Sequence, residues 1–173
     1  MKTHTVLAIG AHVGDAELTA GALLATCAVH GGKAVTLALT AGEKGAPIGA
    51  DIAAYRADKI AQAEAFARDL GGEAYVLQYE DGLVPDNDEI RFAVCDIIRK
   101  VKPDIIVTHH AQSMHLLSGM KNDGVPGVAL RAQAAGLLQC SPLLCRQALK
   151  QRGCNGSHKK SLTFVVITTE GLP

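Results

Sequence analysis

The sequence predicts an α/β fold with a mainly parallel sheet covered by helices on both faces. Three observations carry this. Short apolar runs alternate with helix-length segments four times. The spacing is that of strand–helix–strand units. Two of the helical segments end at Gly-Gly, a strong stop. At 173 residues the chain has the size of one domain, 1–173, able to bury a core. Aromatics make up only 3% and Trp is absent, so the core must consist of Ala, Val, Ile and Leu.

The elements follow in order. Thr5–Gly10 (TVLAIG) is a buried strand ending in Gly. Ala16–His30 is an Ala/Leu-rich helix closed by Gly31-Gly32. Ala34–Leu39 is the second strand, and Thr40–Ala50 a loop with three glycines and a proline. Asp51 can cap a helix reaching Leu70, closed by Gly71-Gly72. Ala74–Tyr79 is the third strand, and 81–88 is turn-rich. Glu89–Val101 is helical, with Val94, Ile97, Ile98 and Val101 on one face. Pro103-Asp104 breaks the chain before a fourth strand, Ile105–Thr108. The rhythm then weakens: 116–126 is irregular, Val128–Leu138 suits a helix, and Ser161–Thr169 suits a last strand.

The formal net charge is zero, which gives no case for nucleic acid. The balance is uneven along the chain. Residues 1–115 carry ten basic against fifteen acidic side chains, and residues 116–173 seven against two. No leading signal segment and no apolar run of membrane-spanning length is present, so no membrane span and a cytoplasmic location are expected. The five Cys lack CxxC spacing and read as free thiols.

In parallel sheets, ligands sit beyond the C-terminal strand ends. After the first strand comes GAHVGDAE, with His12 and Asp15 three positions apart. One imidazole and one carboxylate can converge on a cation, in a mixed N/O set that suits zinc. The plainer alternative is that Asp15 caps the helix and His12 is a turn residue. Gly10, Gly14 and Gly21 miss the GxGxxG spacing of a dinucleotide site, which counts against a generic nucleotide-binding domain. After the fourth strand come His109, His110 and His115, on the same edge. The two clusters together favour a metal site.

At these residues the sequence resembles the LmbE-like (PIG-L) de-N-acetylase family. AHVGDAEL is similar to its AHPDDAEL-type signature, and KPDIIVTHH…MH to its fourth strand and the approach to its H-x-D-H motif. LALTAGEKG, YRADKIAQAEAFARDLG and YEDGLVP resemble the intervening regions, so the likeness covers about residues 4–115. It implies a Rossmann-like three-layer sandwich and a zinc-dependent hydrolase that removes the N-acetyl group from an amino-sugar derivative. Zinc would polarise the amide carbonyl and activate water. By position, His12 and Asp15 match two zinc ligands. His115 matches the first His of the second signature, which stabilises the oxyanion, and can also be recruited to the metal. Arg56 and Asp81 match substrate-binding residues, Asp81 more weakly.

Two departures stand out. The family's general-base Asp is Gly14 here, with Glu17 the nearest spare carboxylate. The Asp and last His of H-x-D-H fall on Leu117 and Ser118, so the third zinc ligand is left to His115, His110 or His109. A catalytically silent or truncated member that only binds a small ligand is therefore the alternative. Residues 116–173 read as foreign to the family, through a reading-frame shift or a truncated gene. A poorly packed tail would leave apolar surface and favour a homo-oligomer.

Overall fold

A computed structural model describes residues 3–85, 87–109 and 164–168. The described residues form β1 (Thr5–His12), α1 (Asp15–Val29), β2 (Lys33–Thr40), a 3-10 turn (Glu43–Gly45), α2 (Ile52–Asp69), β3 (Glu73–Tyr79), α3 (Asp88–Val101), β4 (Ile105–His109) and β5 (Phe164–Thr168). The four predicted strands and the three helices between them are present, with ends shifted by a residue or two. The sheet order is β3-β2-β1-β4-β5. β1 to β4 are mutually parallel, and β5 pairs antiparallel with β4. The mainly parallel α/β fold predicted from sequence is thus observed. The helix expected at Val128–Leu138 lies outside the described residues.

Layering follows from side-chain pattern. Parallel strands covered on both faces are apolar throughout, and β1 and β2 are buried along nearly their whole length. On one face, Ala16, Ala20 and Leu24 of α1 meet Val6, Ala8, Ala34 and Val107, with Phe66 and Leu70 from the α2 side. On the other, Ile90, Val94, Ile98 and Val101 of α3 meet Leu7, Ile9, Val35, Leu37 and Ile106. The chain moves outward from β1 to β3 with α1 and α2 on one face. It then returns past β1 to β4 with α3 on the opposite face. A constant crossover hand requires this change of face when the direction of travel reverses. The reversal leaves β1 and β4 adjacent, with the crevice of the fold at their C-terminal ends.

Local chemistry explains the boundaries. Asp51 caps α2, its carboxylate accepting from the amides of Ala53 (2.9 Å) and Ala54 (3.1 Å). Asn87 caps α3 through the amide of Ile90, a cap the sequence reading did not assign. In the Gly71-Gly72 stop, Gly71 has φ +63, and a Cβ on Gly72 would lie 2.0 Å from the Ala34 carbonyl. Here the first glycine serves the turn and the second the close approach of helix end to strand. Pro103-Asp104 is more than a break. Asp104 Oδ2 accepts from Thr5 N at 2.7 Å and its own amide donates to Thr5 O at 2.9 Å, pinning β4 to the start of β1.

Of the cysteines read as free thiols, Cys27 is free. Cys95 is not: it is disulfide-bonded, which corrects the sequence reading. No helix among the described residues is long and apolar enough to cross a membrane.

Leu24 is fully buried at the centre of the α1 contact. Leu24→Ala should lower the unfolding free energy by about 2–5 kcal/mol, by lost transfer energy plus a cavity. Urea unfolding curves with unchanged slope check this.

Candidate functional site

The crevice at the end of β1 is built by a turn that one carboxylate organises. Asp15 Oδ2 accepts from the amides of Ala11 and His12, both at 2.9 Å. These bonds fold the backbone between β1 and α1 and bring the same oxygen to 3.4 Å from His12 Nδ1. Asp15 is not the helix cap of the plainer sequence reading. That position belongs to Gly14, whose amide is taken by the Glu17 carboxylate at 3.0 Å. Gly10 makes the turn possible, because a Cβ there would come within 2.5 Å of the Asp15 Cβ.

His12 is held from the far side as well. Its Nε2 lies 3.0 Å from Asp81 Oδ1, at the end of β3. Asp81 is almost fully buried, whereas His12 keeps about a quarter of its side chain exposed. The other Asp81 oxygen accepts from Lys44 N at 3.2 Å. The Asp81 amide donates to Glu43 Oε1 at 3.0 Å, and Arg56 Nη1 of α2 pairs with that same oxygen. Arg56 also reaches the Tyr79 carbonyl and Gln78. Glu43 Oε2 is buried without a hydrogen-bond partner. The loop carrying Glu43 is tied to β1 through Thr40, whose hydroxyl donates to the Ala11 carbonyl and accepts from Gly42 N.

The electrostatics follow from this enclosure. The hydrogen bond and charge of Asp15 raise the His12 pKa, burial opposes them, and Asp81 adds to the rise. A raised pKa means that the stability from these pairs is complete below the ordinary value of 6.5 and fades as pH rises through the folded value.

The structure thus brings His12, Asp15, Asp81 and Arg56 into one network. His110 and His115 lie outside the described residues, as do Leu117 and Ser118; of His109 only the backbone is described. Glu17, the spare carboxylate of the sequence reading, is engaged by the backbone of Gly14. Glu43 was missed. Its signal was its place just after the second apolar run, where the strand-end rule applies equally.

For a metal, the chemistry of His12 and Asp15 fits: a nitrogen and a carboxylate oxygen face each other across 3.4 Å. The set is incomplete, since no group of three His, Cys, Asp or Glu among the described residues is placed to hold an ion. A third donor would have to come from elsewhere in the chain.

The arrangement is a carboxylate-braced His at the end of the central strand of a mainly parallel α/β sheet. Residues 7–116 match the family model PIG-L, described as GlcNAc-PI de-N-acetylase. The chain belongs to that family. The match ends one residue after His115, where the charge balance changes. A comparison with the curated proteins gives no match. Among solved structures, the chain is similar to N,N'-diacetylchitobiose deacetylase from Pyrococcus horikoshii (TM-score 0.65, 21% identity, 86% of this chain and 55% of that one). It is similar to 4-carboxy-2-hydroxymuconate hydratase from Pseudomonas putida (0.61, 23%, 76% and 55%). It also resembles a deacetylase of the teicoplanin biosynthetic pathway (0.53, 20%, 80% and 60%). At these identities the likeness is one of fold. The chain spans a little over half the length of each of these proteins.

Two outcomes are expected. Gly10→Ala should displace Asp15 and destabilise the protein by about 1–3 kcal/mol, read by urea unfolding. In chelator-treated protein, the stability advantage of wild type over His12→Gln should be largest below pH 6.5 and shrink on the alkaline side, read by the same method.

Proposed function

We propose that this chain is a zinc-dependent hydrolase that removes the N-acetyl group from an amino-sugar derivative. The observation that carries the reading is the pairing of His12 and Asp15 at the end of β1, within the region that matches the de-N-acetylase family. Zinc would be held by His12 and Asp15 with His115 as the third ligand. When bound it supplies a Lewis acid for the amide carbonyl and lowers the pKa of a water.

The chain's own residues would do the rest. Asp15 and Asp81 hold the His12 ring between them. Were His110 or His109 the third ligand instead, His115 would be left to donate to the oxygen on which charge develops, an interaction stronger in the transition state than in the ground state. Arg56, 22% exposed and anchored through Glu43, would reach the sugar through Nη2 by exchanging its exposed contact with Gln78. Asp81 would face the sugar only in part, since both of its oxygens already have partners within the protein.

A second reading is favoured by one observation. Gly14, where the family places its general base, cannot accept a proton, and the nearest carboxylate is bound to its amide. The chain would then bind zinc or a small ligand without turnover. The substitution Gly14→Asp separates the readings. A Cβ at Gly14 meets nothing within 4 Å, so a side chain fits; φ of +105 makes it strained, at about 1–3 kcal/mol.

Zinc content of the purified chain should be near one per molecule and fall in His12→Ala and His115→Ala. Gly14→Asp should raise deacetylation of an N-acetylglucosaminyl substrate about 10²–10⁴-fold, the usual worth of a general base. Absence of zinc uptake in wild type refutes the zinc reading. Zinc uptake with no turnover in either wild type or Gly14→Asp favours the silent member.

A further inference from the structure

We propose that Asp81 is a positioning residue that holds the proton of His12 on Nε2 and leaves Nδ1 as the nitrogen that faces the metal. The proposal rests on the reading of His12 and Asp15 as the metal pair.

The two ring nitrogens of His12 meet different carboxylates. Nε2 is 3.0 Å from Asp81 Oδ1, within hydrogen-bond reach, whereas Nδ1 is 3.4 Å from Asp15 Oδ2. The acceptors also differ in what else they hold. Asp15 Oδ2 is shared with two backbone amides at 2.9 Å, which makes it the weaker acceptor for a ring proton while its charge still faces the crevice. Asp81 Oδ1 is committed to the ring, and the other Asp81 oxygen to the amide of Lys44. A neutral imidazole carries one proton, and the better acceptor takes it. The proton therefore lies on Nε2, and the Nδ1 lone pair turns toward Asp15.

The separation of that pair suits a shared cation. Two ligands at 2.0–2.1 Å from a tetrahedral zinc stand about 3.3 Å apart, and Nδ1 and Asp15 Oδ2 are 3.4 Å apart. A His that ligates through one nitrogen and donates from the other to a carboxylate is a recurrent metal-site device, fixing both tautomer and ring orientation. Asp81 is well fitted to the role because it is itself braced. It is nearly buried, its amide is held by Glu43, and Glu43 is held by Arg56. Bracing thus runs from α2 through two carboxylates to a ring at the end of β1. It assigns Arg56 and Glu43 a supporting role for the metal site that is independent of any sugar contact.

The test reads the proton directly. Long-range proton–nitrogen correlation spectra of the metal-free full chain, taken at alkaline pH where the ring is neutral and assigned with His12→Gln, should show His12 with a protonated Nε2 and a bare Nδ1. Asp81→Ala should move the ring toward the Nδ1–H form and weaken zinc about 10–100-fold in competition with a chromophoric chelator. Asp81→Asn, which keeps the size and one acceptor oxygen, should lose less on both readouts and guards against misfolding of the Ala variant. A wild-type ring protonated on Nδ1, or zinc affinity unchanged in both variants, overturns the proposal. If wild type takes up no zinc at all, the metal reading fails on its own, and the tautomer measurement still decides what Asp81 does.

Discussion

The turn between β1 and α1 depends on one carboxylate oxygen. Asp15 Oδ2 accepts the amides of Ala11 and His12, and in doing so turns the chain out of the sheet and into the helix. Buried backbone amides at such a turn need partners, and here a side chain from the first residue of α1 supplies them. Everything near the crevice follows from that bond pair. It sets where α1 begins, hence how Ala16, Ala20 and Leu24 meet the sheet. It also fixes the His12 backbone, so the ring emerges between Asp15 and Asp81 rather than into solvent. A residue that shapes the fold and also faces the candidate ligand couples stability to function: changes at Asp15 would disturb both together.

The second constraint is the strand order. β1 sits between β2 and β4, so its C-terminal end is the one place where loops from both halves of the sheet converge. Asp81 follows β3, two strands away, yet its carboxylate reaches His12 because Thr40 draws the intervening loop over the end of β1. Glu43 and Arg56 then hold Asp81 in place. The acidic side chains gathered here are not a solvated cluster. Glu43 and Asp81 are both nearly buried, each supported by the protein's own donors, and buried carboxylates persist only with such partners.

Much of this was legible from residue order. Three of the four apolar runs were readable as strands because a glycine pair or a proline precedes them, and the first because it ends in Gly10. Asp51 was readable as a cap because capping is local, acting over two or three residues. His12 and Asp15 were readable as a pair for the same reason. The contact between His12 and Asp81 was not, since it spans 69 positions and depends on strand order and on the Thr40 tie. Glu43 was hidden by composition: set among glycines and a proline, it looked like part of a solvated loop, and only the packing of Arg56 against it shows that it is buried. The capture of Glu17 by the Gly14 amide was also out of view, although the three-residue spacing is that of a capping box.

Family membership narrows the chemistry without deciding it. The fold is similar both to deacetylases and to a hydratase, so fold alone does not select the reaction. What distinguishes them must lie in the groups around the crevice. Here those groups are unusual at one point. The position that carries a proton acceptor in the family signature is a glycine with φ of +105, and the Glu17 carboxylate accepts from its amide. The cap stabilises the start of α1, and it removes the nearest replacement carboxylate from service. The side chains His12, Asp15, Asp81, Glu43 and Arg56 therefore form one braced network at the end of β1, in which most polar groups already serve one another. Turnover further requires a base, and at the position where the family places it neither Gly14 nor the Glu17 carboxylate bound to its amide supplies one.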